Sequence, residues 1–576
     1  MKNSLGPRGL EKMFVDIMGE VTVTKDGATL LRKIDVEHPA AKVLIEASNS
    51  VDNEVGDGTK AVVVVIGALL EKAEEMLDKG ISPAMIIDGY QSALELALVE
   101  LENLAEKHAG PDKDTMGRLV QTSLDSKSLG PAVKNVTDMI VDAALSVADS
   151  SRKSIDVDNI KIEQKLGDMS MTQLIKGMVV DKTIDSSSMP KSIEKARIML
   201  IDDDLEGRTT RTGSQININS PKLMMSFKKE ETEEIRSKVK HIIESGANVV
   251  FSRKGINTLA QHLLAREGII SVRRVKENDL LWLARATGAS IAARLDHEHE
   301  VHYGSDGHDH DHHSHEHKHA HTHSERYSTR HDDFHPHYHH GDIDIKLGFA
   351  ERVSERVIGD DRMVFVESCR NPRAVTILLR AGSKRTLDEF QRSTIDGISV
   401  LRDYFTKPAI ISGGGSAEAA IAKRLRNTAN SIPSREQIVL SMFADALEEI
   451  PLTLARNAGM DVINTLATLR HEHRDDNRGH TGRGKTYGVD VFGRKVSQMY
   501  PAVVEPVLVK EQVLKTATEV ANLLLRVDDV LMAKPAMNTH THANGTTHSH
   551  GGGDKAHQHD YFDRLGKMQR PSHHYY

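Results

Sequence analysis

The sequence has one cysteine, Cys369, in 576 residues. A single thiol excludes an internal disulfide framework and fits a reducing, cytoplasmic compartment. Long apolar runs are also missing. The longest, such as residues 62–70, fall short of the roughly 20 residues that cross a bilayer, so no membrane partner is expected. The opening MKNSLGPRGL has no apolar leader, and no signal peptide is read there. Positive charge is not in excess. The net charge of -8 argues against a nucleic-acid partner. Histidine is scarce outside two stretches. Of 32, 17 fall in residues 297–340 and 8 in residues 540–574, which leaves 7 elsewhere.

What is present is ordinary for a folded protein. Apolar residues make up 39% and charged residues 27%, a soluble globular balance. The length implies about two to four domains. Short strands are expected at residues 14–16 and 21–24. Pro39 opens a helix with Ala40, Val43, Leu44 and Ala47 at helical spacing. A second helix runs from about 60 to 79, and Pro83 starts a third, which ends before Gly110-Pro111. Two more follow in 112–150, with Thr122 to Lys127 at the bend. Strands at 160–163 and 178–180 change the texture from bundle to mixed. From 183 to 295 strands and helices alternate, including a helix at about 229–245, as in a compact α/β domain.

Residues 296–342 break that pattern. Histidine alternates there with Asp, Glu or Ser, a composition that cannot bury a core. Strand texture resumes at 343. From 385 to 533 the chain reads as helical, with a long last helix at 510–529. The tail from 533 is again rich in Gly and His. The order is bundle, mixed, α/β, mixed, bundle. The economical arrangement is nested, with domains in series as the alternative.

Two glycines flank a carboxylate in Val55-Gly56-Asp57-Gly58-Thr59-Lys60, just before the apolar run AVVVVIGALL. A helix N-terminus attracts phosphate, and glycine lets backbone approach it. A carboxylate there needs a hard cation between. Alone, such a run is also an ordinary tight turn. Gly479 to Thr486 matches GxxxxGK[ST], but no buried strand precedes it and strand-like 489–492 follows. It reads as a solvated loop, not a phosphate-binding one.

The GDGT run stands in sequence with Leu5-Gly6-Pro7-Arg8-Gly9, Thr24-Lys25-Asp26-Gly27 and Val36-Glu37-His38-Pro39. Later come Leu174-Ile175-Lys176-Gly177, Phe443-Ala444-Asp445-Ala446-Leu447-Glu448 and Leu525-Arg526-Val527-Asp528-Asp529. Together these resemble the group II chaperonins, the archaeal thermosome subunits, over almost the whole chain. The resemblance implies a multidomain α and α/β fold: a helical equatorial domain (1–112 and 405–533), a small mixed intermediate domain (113–182 and 363–404) and an α/β apical domain (183–362). A lid protrusion would lie at about 205–235, where Leu223, Met224, Met225 and Phe227 form an apolar cluster. The segments 296–342 and 534–576 would be disordered.

The same resemblance implies an ATP-dependent chaperone in a homo- or hetero-oligomeric double ring around non-native proteins. Ser4, Leu5, Gly6 and Pro7 would lie along the phosphates. Asp57 would hold Mg2+, and Gly58 and Thr59 would contact phosphate. Gly414 and Gly415 would pack under the ribose, and Gly488 and Glu505 would approach base and sugar. Asp26 and Asp396 would orient and activate the attacking water, as phosphoryl transfer requires. The family has two threonines after GDGT, where this chain has Lys60 and Ala61. Lys60 would either place a point charge on phosphate or repel Mg2+. The family's leading strand and most of its first helix are not seen before the LGP motif. These departures support an alternative, a non-hydrolysing or hetero-oligomeric paralogue whose histidine tracts bind Zn2+, Ni2+ or Cu2+.

Overall fold

Proline and glycine punctuate the opening helices, which begin and end where they stand. The computed structural model describes residues 1–16, 18–19, 21–34, 36–127, 133–149, 154–206, 221–295, 345–370, 372–474, 484–530, 538–541 and 547–550. An antiparallel hairpin, Lys12–Val15 with Val21–Thr24, comes first. Helix α1 (Gly27–Lys33) follows, capped by the Asp26 carboxylate on the Thr29 N–H. Helix α2 (Pro39–Val55) carries proline in its first turn and stops at Gly56, φ 67°. Helix α3 (Thr59–Asp78) buries Val62, Val65, Ile66, Leu69 and Met76 on one stripe. Helix α4 (Pro83–Leu104) is capped by Ser82 and buries Ile86, Tyr90, Ala97 and Leu101.

Helices α5 (Lys113–Asp125) and α6 (Val133–Val147) come next. The strand Ile160–Leu166 then pairs in parallel with Val375–Ala381, which also pairs with Gln173–Ile175. Between those partners lies the largest sheet. Its strand order is Ile270–Val272, Val249–Ser252, Ser192–Ile201, Gly348–Ile358, Asp361–Glu367 and Gly177–Val180, with Ile291–Ala292 beside Ser192–Ile201. Helices α7 (Pro221–Glu244), α8 (Thr258–Arg266) and α9 (Glu277–Thr287) belong to the same segment. Ile198 to Ile201, Val249 to Phe251 and Ile270 are buried together with Leu264 and Leu283. Cys369 joins this core. A Cβ on Gly177 would lie 3.4 Å from its Sγ, and burial pushes its thiol up to about 12.

Helix α7 starts eight residues earlier than the apolar spacing suggested, because Pro221 suits a first helical turn. It takes in Met224, Met225 and Phe227, which are exposed rather than part of a buried face. The rest of the expected protrusion, 207–220, and the tract 296–342 lie outside the described residues.

Helices α10 (Lys384–Thr406), α11 (Ser416–Ala429), α12 (Glu436–Asn457), α13 (Val462–Glu472) and α14 (Val507–Leu525) follow. Tyr90 of α4 meets Phe443 of α12 edge to face, with centroids 5.4 Å apart. This part is less purely helical than expected. Ala409–Ser412 pairs with Val504–Pro506 and with Glu106–Lys107. Tyr487–Asp490 pairs with Lys495–Gln498. These strands have two to four residues each, too few to show alternation. Residues 523–576 form a separate unit. There the expected disordered tail carries an antiparallel pair, Asn538–Thr541 with Thr547–His550. The β-branched Thr539, Thr541 and Thr547 favour that conformation.

One buried ionic cluster ties α9 to the mixed sheet. The Lys161 ammonium donates to Asp279 at 2.6 Å and to the Val179 carbonyl at 2.8 Å. Glu163 lies 3.2 Å away. Trp282, the one tryptophan of the chain, donates its indole N–H to the Asp158 carbonyl at 2.6 Å. The Lys161 ammonium lies 5.6 Å from the ring centre.

Candidate functional site

The turn between α2 and α3 needs two left-handed residues, which is why glycine stands there. Gly56 has φ 67° and Gly58 has φ 83°. A Cβ at Gly58 would come within 2.8 Å of Val513 on α14. Asp57 projects between them. Its Oδ1 accepts from the Gly58 N–H at 2.7 Å and its Oδ2 from the Ser123 hydroxyl at 3.4 Å.

This turn forms one wall of a cavity. Leu5, Gly6 and Pro7 supply another, and Gly414 and Gly415 a third. Gly414 (φ 68°) and Gly415 (φ 77°) form the turn into α11. Val489, Val491, Phe492 and Met499 make an apolar wall, and Glu505 stands beside it. Gly488 does not line the cavity. A Cβ there would lie 2.8 Å from the Gly414 carbonyl oxygen and 3.0 Å from that of Gly413. It supports the glycine turn from behind. Ser4 and Thr59 are buried behind the same walls.

The carboxylates meet through Lys127, the last residue of the Thr122 to Lys127 bend. The Lys127 ammonium lies 2.6 Å from Asp396 Oδ2, and both side chains are buried. Burial pushes Asp396 up to about 7; Lys127 opposes the rise, while Asp57 and Asp26 add to it. Burial also acts to lower Lys127, but Asp396, Asp57 and Asp26 outweigh it and hold the ammonium above its usual range. Burial would raise Asp26 too, yet Lys127, two bonds from Thr29 and Lys60 bring it below the ordinary carboxylate value. Asp26, Asp57 and Asp396 therefore share one electrostatic neighbourhood.

Two lysines hold the 4–7 segment by its carbonyls. Lys25 donates to Pro7 at 3.0 Å and Lys60 to Ser4 at 3.3 Å. Burial, with Lys127, lowers Lys60 to about 8, and Asp57 opposes that fall. A second buried lysine cluster backs Glu505. Lys510 lies 2.9 Å from Glu505 and 2.7 Å from Glu418. Lys510 had a signal in the sequence. It shares a helical stripe with Val507, Val513, Leu514 and Ala517, all buried. Lys127, in a polar run, had none.

Asp403 sits two turns after Asp396 on α10. Its Oδ1 accepts from Arg402 at 3.3 and 3.2 Å, while its Oδ2 is buried without a hydrogen bond. Burial pushes it up to about 7, with Arg402 opposing. A raised carboxyl favours folding below its unfolded value near 3.8, and that contribution is lost as pH rises towards 7. Asp403→Asn removes the buried charge. Its melting temperature is expected to exceed the parent's at pH 8, by the equivalent of about 1 kcal/mol, with the gain gone at pH 4. Calorimetry at both pH values checks this; a loss at pH 8 contradicts it.

The donors at Asp57 suit Mg2+, which binds through one or two carboxylates plus substrate phosphates. Asp57 presents a carboxylate on the cavity wall, and its hydrogen bonds to Gly58 and Ser123 leave lone pairs free. The apolar wall opposite suits a base, and the helix start suits phosphate.

Residues 1–535 match the TCP-1/cpn60 chaperonin family. The chain is 39% identical over 536 residues to a thermosome subunit of Methanocaldococcus jannaschii, covering 93% of this chain and 90% of that protein. It is 40% identical over 538 residues to thermosome subunit alpha of Archaeoglobus fulgidus, covering 93% and 89%. Against thermosome subunit beta of Sulfurisphaera tokodaii it is 38% identical over 537 residues, covering 92% and 88%.

Proposed function

This chain belongs to the TCP-1/cpn60 chaperonin family, and on that premise we propose that the cavity beside Asp57 is its ATP site. The protein is an ATP-dependent chaperonin subunit of a double-ring complex that binds non-native proteins. The reading of a non-hydrolysing, metal-binding paralogue has no support among the relatives.

One observation carries the site assignment. Residues from distant segments, among them 5–7, 57–61, 119–126, 414–415 and 489–513, converge on one cavity. Ser4, Leu5, Gly6, Pro7, Gly58, Thr59 and Lys60 would flank the phosphates. Gly414 and Gly415 would carry the sugar, with Glu505 at its edge and Gly488 behind. Asp57 would hold Mg2+, which when bound supplies charge neutralisation for phosphoryl transfer. Asp26 and Asp396 would orient and activate the attacking water.

Asp396 lies on α10, in the segment assigned to an intermediate domain (113–182 and 363–404). The equatorial parts would be 1–112 and 405–533, and the apical part 183–362. Homo- or hetero-oligomeric composition is the finer question, for native mass spectrometry of rings from the source cells. No helix among the described residues is long and apolar enough to cross a membrane, in keeping with a cytoplasmic place. The histidine tracts would take up Zn2+, Ni2+ or Cu2+ by composition alone, since they lie almost wholly outside the described residues.

The test is equilibrium binding of ATP in Mg2+. Asp57→Ala is expected to weaken it several-fold, up to about tenfold, the worth of the metal contact that Asp57 would carry. Unchanged affinity would remove Asp57 from the site.

A further inference from the structure

Four lysine side chains, at 25, 60, 127 and 510, are buried in or beside the cavity, and they are not equivalent. Lys25 donates to the Pro7 carbonyl at 3.0 Å and does not line the cavity. Lys127 is spent on Asp396 at 2.6 Å, and Lys510 on Glu418 and Glu505 at 2.7 and 2.9 Å. Lys60 lines the cavity and is 8% exposed. Among the described residues it has no carboxylate within ion-pair distance. Its one hydrogen bond is long, 3.3 Å to the Ser4 carbonyl. An ammonium has three donors, and the bond to Ser4 engages one of them, which leaves two to face the cavity. A buried cation in that condition is costly unless an anion completes it.

The surrounding charges explain why it is tolerated. Asp57 and Asp26 both act on Lys60 in the favourable direction, while Lys127 and Lys25 oppose them. Three lysines, at 25, 60 and 127, stand against three aspartates, at 26, 57 and 396. The cluster is close to neutral before any metal arrives. An incoming polyphosphate therefore meets a cation that the protein itself supplies, on the first turn of α3, where the helix N-terminus also favours negative charge.

We propose that the Lys60 ammonium is a phosphate-binding cation that lets this chain hold ATP without a divalent metal, with Mg2+ required for hydrolysis rather than for binding. The inference rests on the nucleotide reading above. Lys60 binds phosphate as a point charge, and its length lets it leave the Ser4 carbonyl for the ligand.

The experiment is calorimetric titration of assembled rings with ATP at pH 7, in Mg2+ and in EDTA. The readout is the ratio of the two Kd values. In the parent the ratio is expected to be about ten or less; in Lys60→Met it rises about tenfold further, because one charged contact is gone. Lys60→Arg, which keeps the charge, is expected to restore the low ratio. Circular dichroism and ring assembly establish that each variant is folded. Equal ratios in parent and Lys60→Met overturn the proposal. An absence of ATP binding by the parent in either buffer overturns the nucleotide reading itself.

Discussion

Asp396→Ala is expected to reduce ATP turnover by about a hundredfold to ten-thousandfold, the usual worth of a positioned general base. The geometry leads to that figure. Asp396 is the carboxylate held up to about 7 by burial and by two neighbouring carboxylates. A group near the working pH both exists as the base and takes a proton readily. Asp26, pulled below the ordinary range, is suited to staying ionised and orienting water. Two carboxylates with environments that push them apart divide the labour. Because alanine would also strand the buried Lys127 ammonium, Asp396→Asn is the cleaner variant. The parent's turnover is expected to rise as pH passes through about 7 and level off above it. The asparagine variant should lose that limb. Steady-state phosphate release from folded rings between pH 5.5 and 9 measures both. Turnover equal to the parent's would exclude Asp396 from the chemistry.

Asp279→Ala is expected to cost about 3 kcal/mol of stability. The carboxylate receives Lys161 at 2.6 Å in a buried setting, with both side chains 7% exposed. Removing it leaves the ammonium with Glu163 at 3.2 Å and one carbonyl. Lys161→Met with Asp279→Leu removes both charges and is expected to lie close to the parent, since the desolvation of two ions disappears together with their attraction. Trp282 gives a local readout. Its indole bond to Asp158 spans the same junction, so the single-alanine variant should shift the emission to the red before global unfolding. An unshifted spectrum and an unchanged melting temperature would show that the junction does not depend on this pair.

Long amphipathic helices were legible from spacing and punctuation. Pro39, Pro83 and Gly56 mark boundaries that the chain observes. The glycine-flanked Asp57 marked the helix start, while the roles of 5–7 and 414–415 came from resemblance rather than spacing. What stayed hidden was of two kinds. Very short strands such as Val504–Pro506 carry no periodicity of their own and form because Ala409–Ser412 lies beside them. Buried lysines look like any solvated lysine until the partner is known. Lys161 and Asp279 are 118 positions apart, and Lys510 and Glu418 are 92 apart. Long-range pairing of that sort leaves no local trace. The start of α7 was missed for a milder reason: its first turns carry exposed Met224, Met225 and Phe227, which blur the amphipathic stripe.

The sealed thiol of Cys369 makes the protein its own clock. A side chain 6% exposed, with ionisation suppressed by burial, is inert towards thiol reagents while the sheet around it is closed. As there is no second cysteine, every label incorporated dates one opening event at the edge formed by Gly177–Val180 and Asp361–Glu367. The tempo of that incorporation, followed by mass spectrometry with and without ATP, would report how often this edge parts during the working cycle, without a dye or an introduced residue.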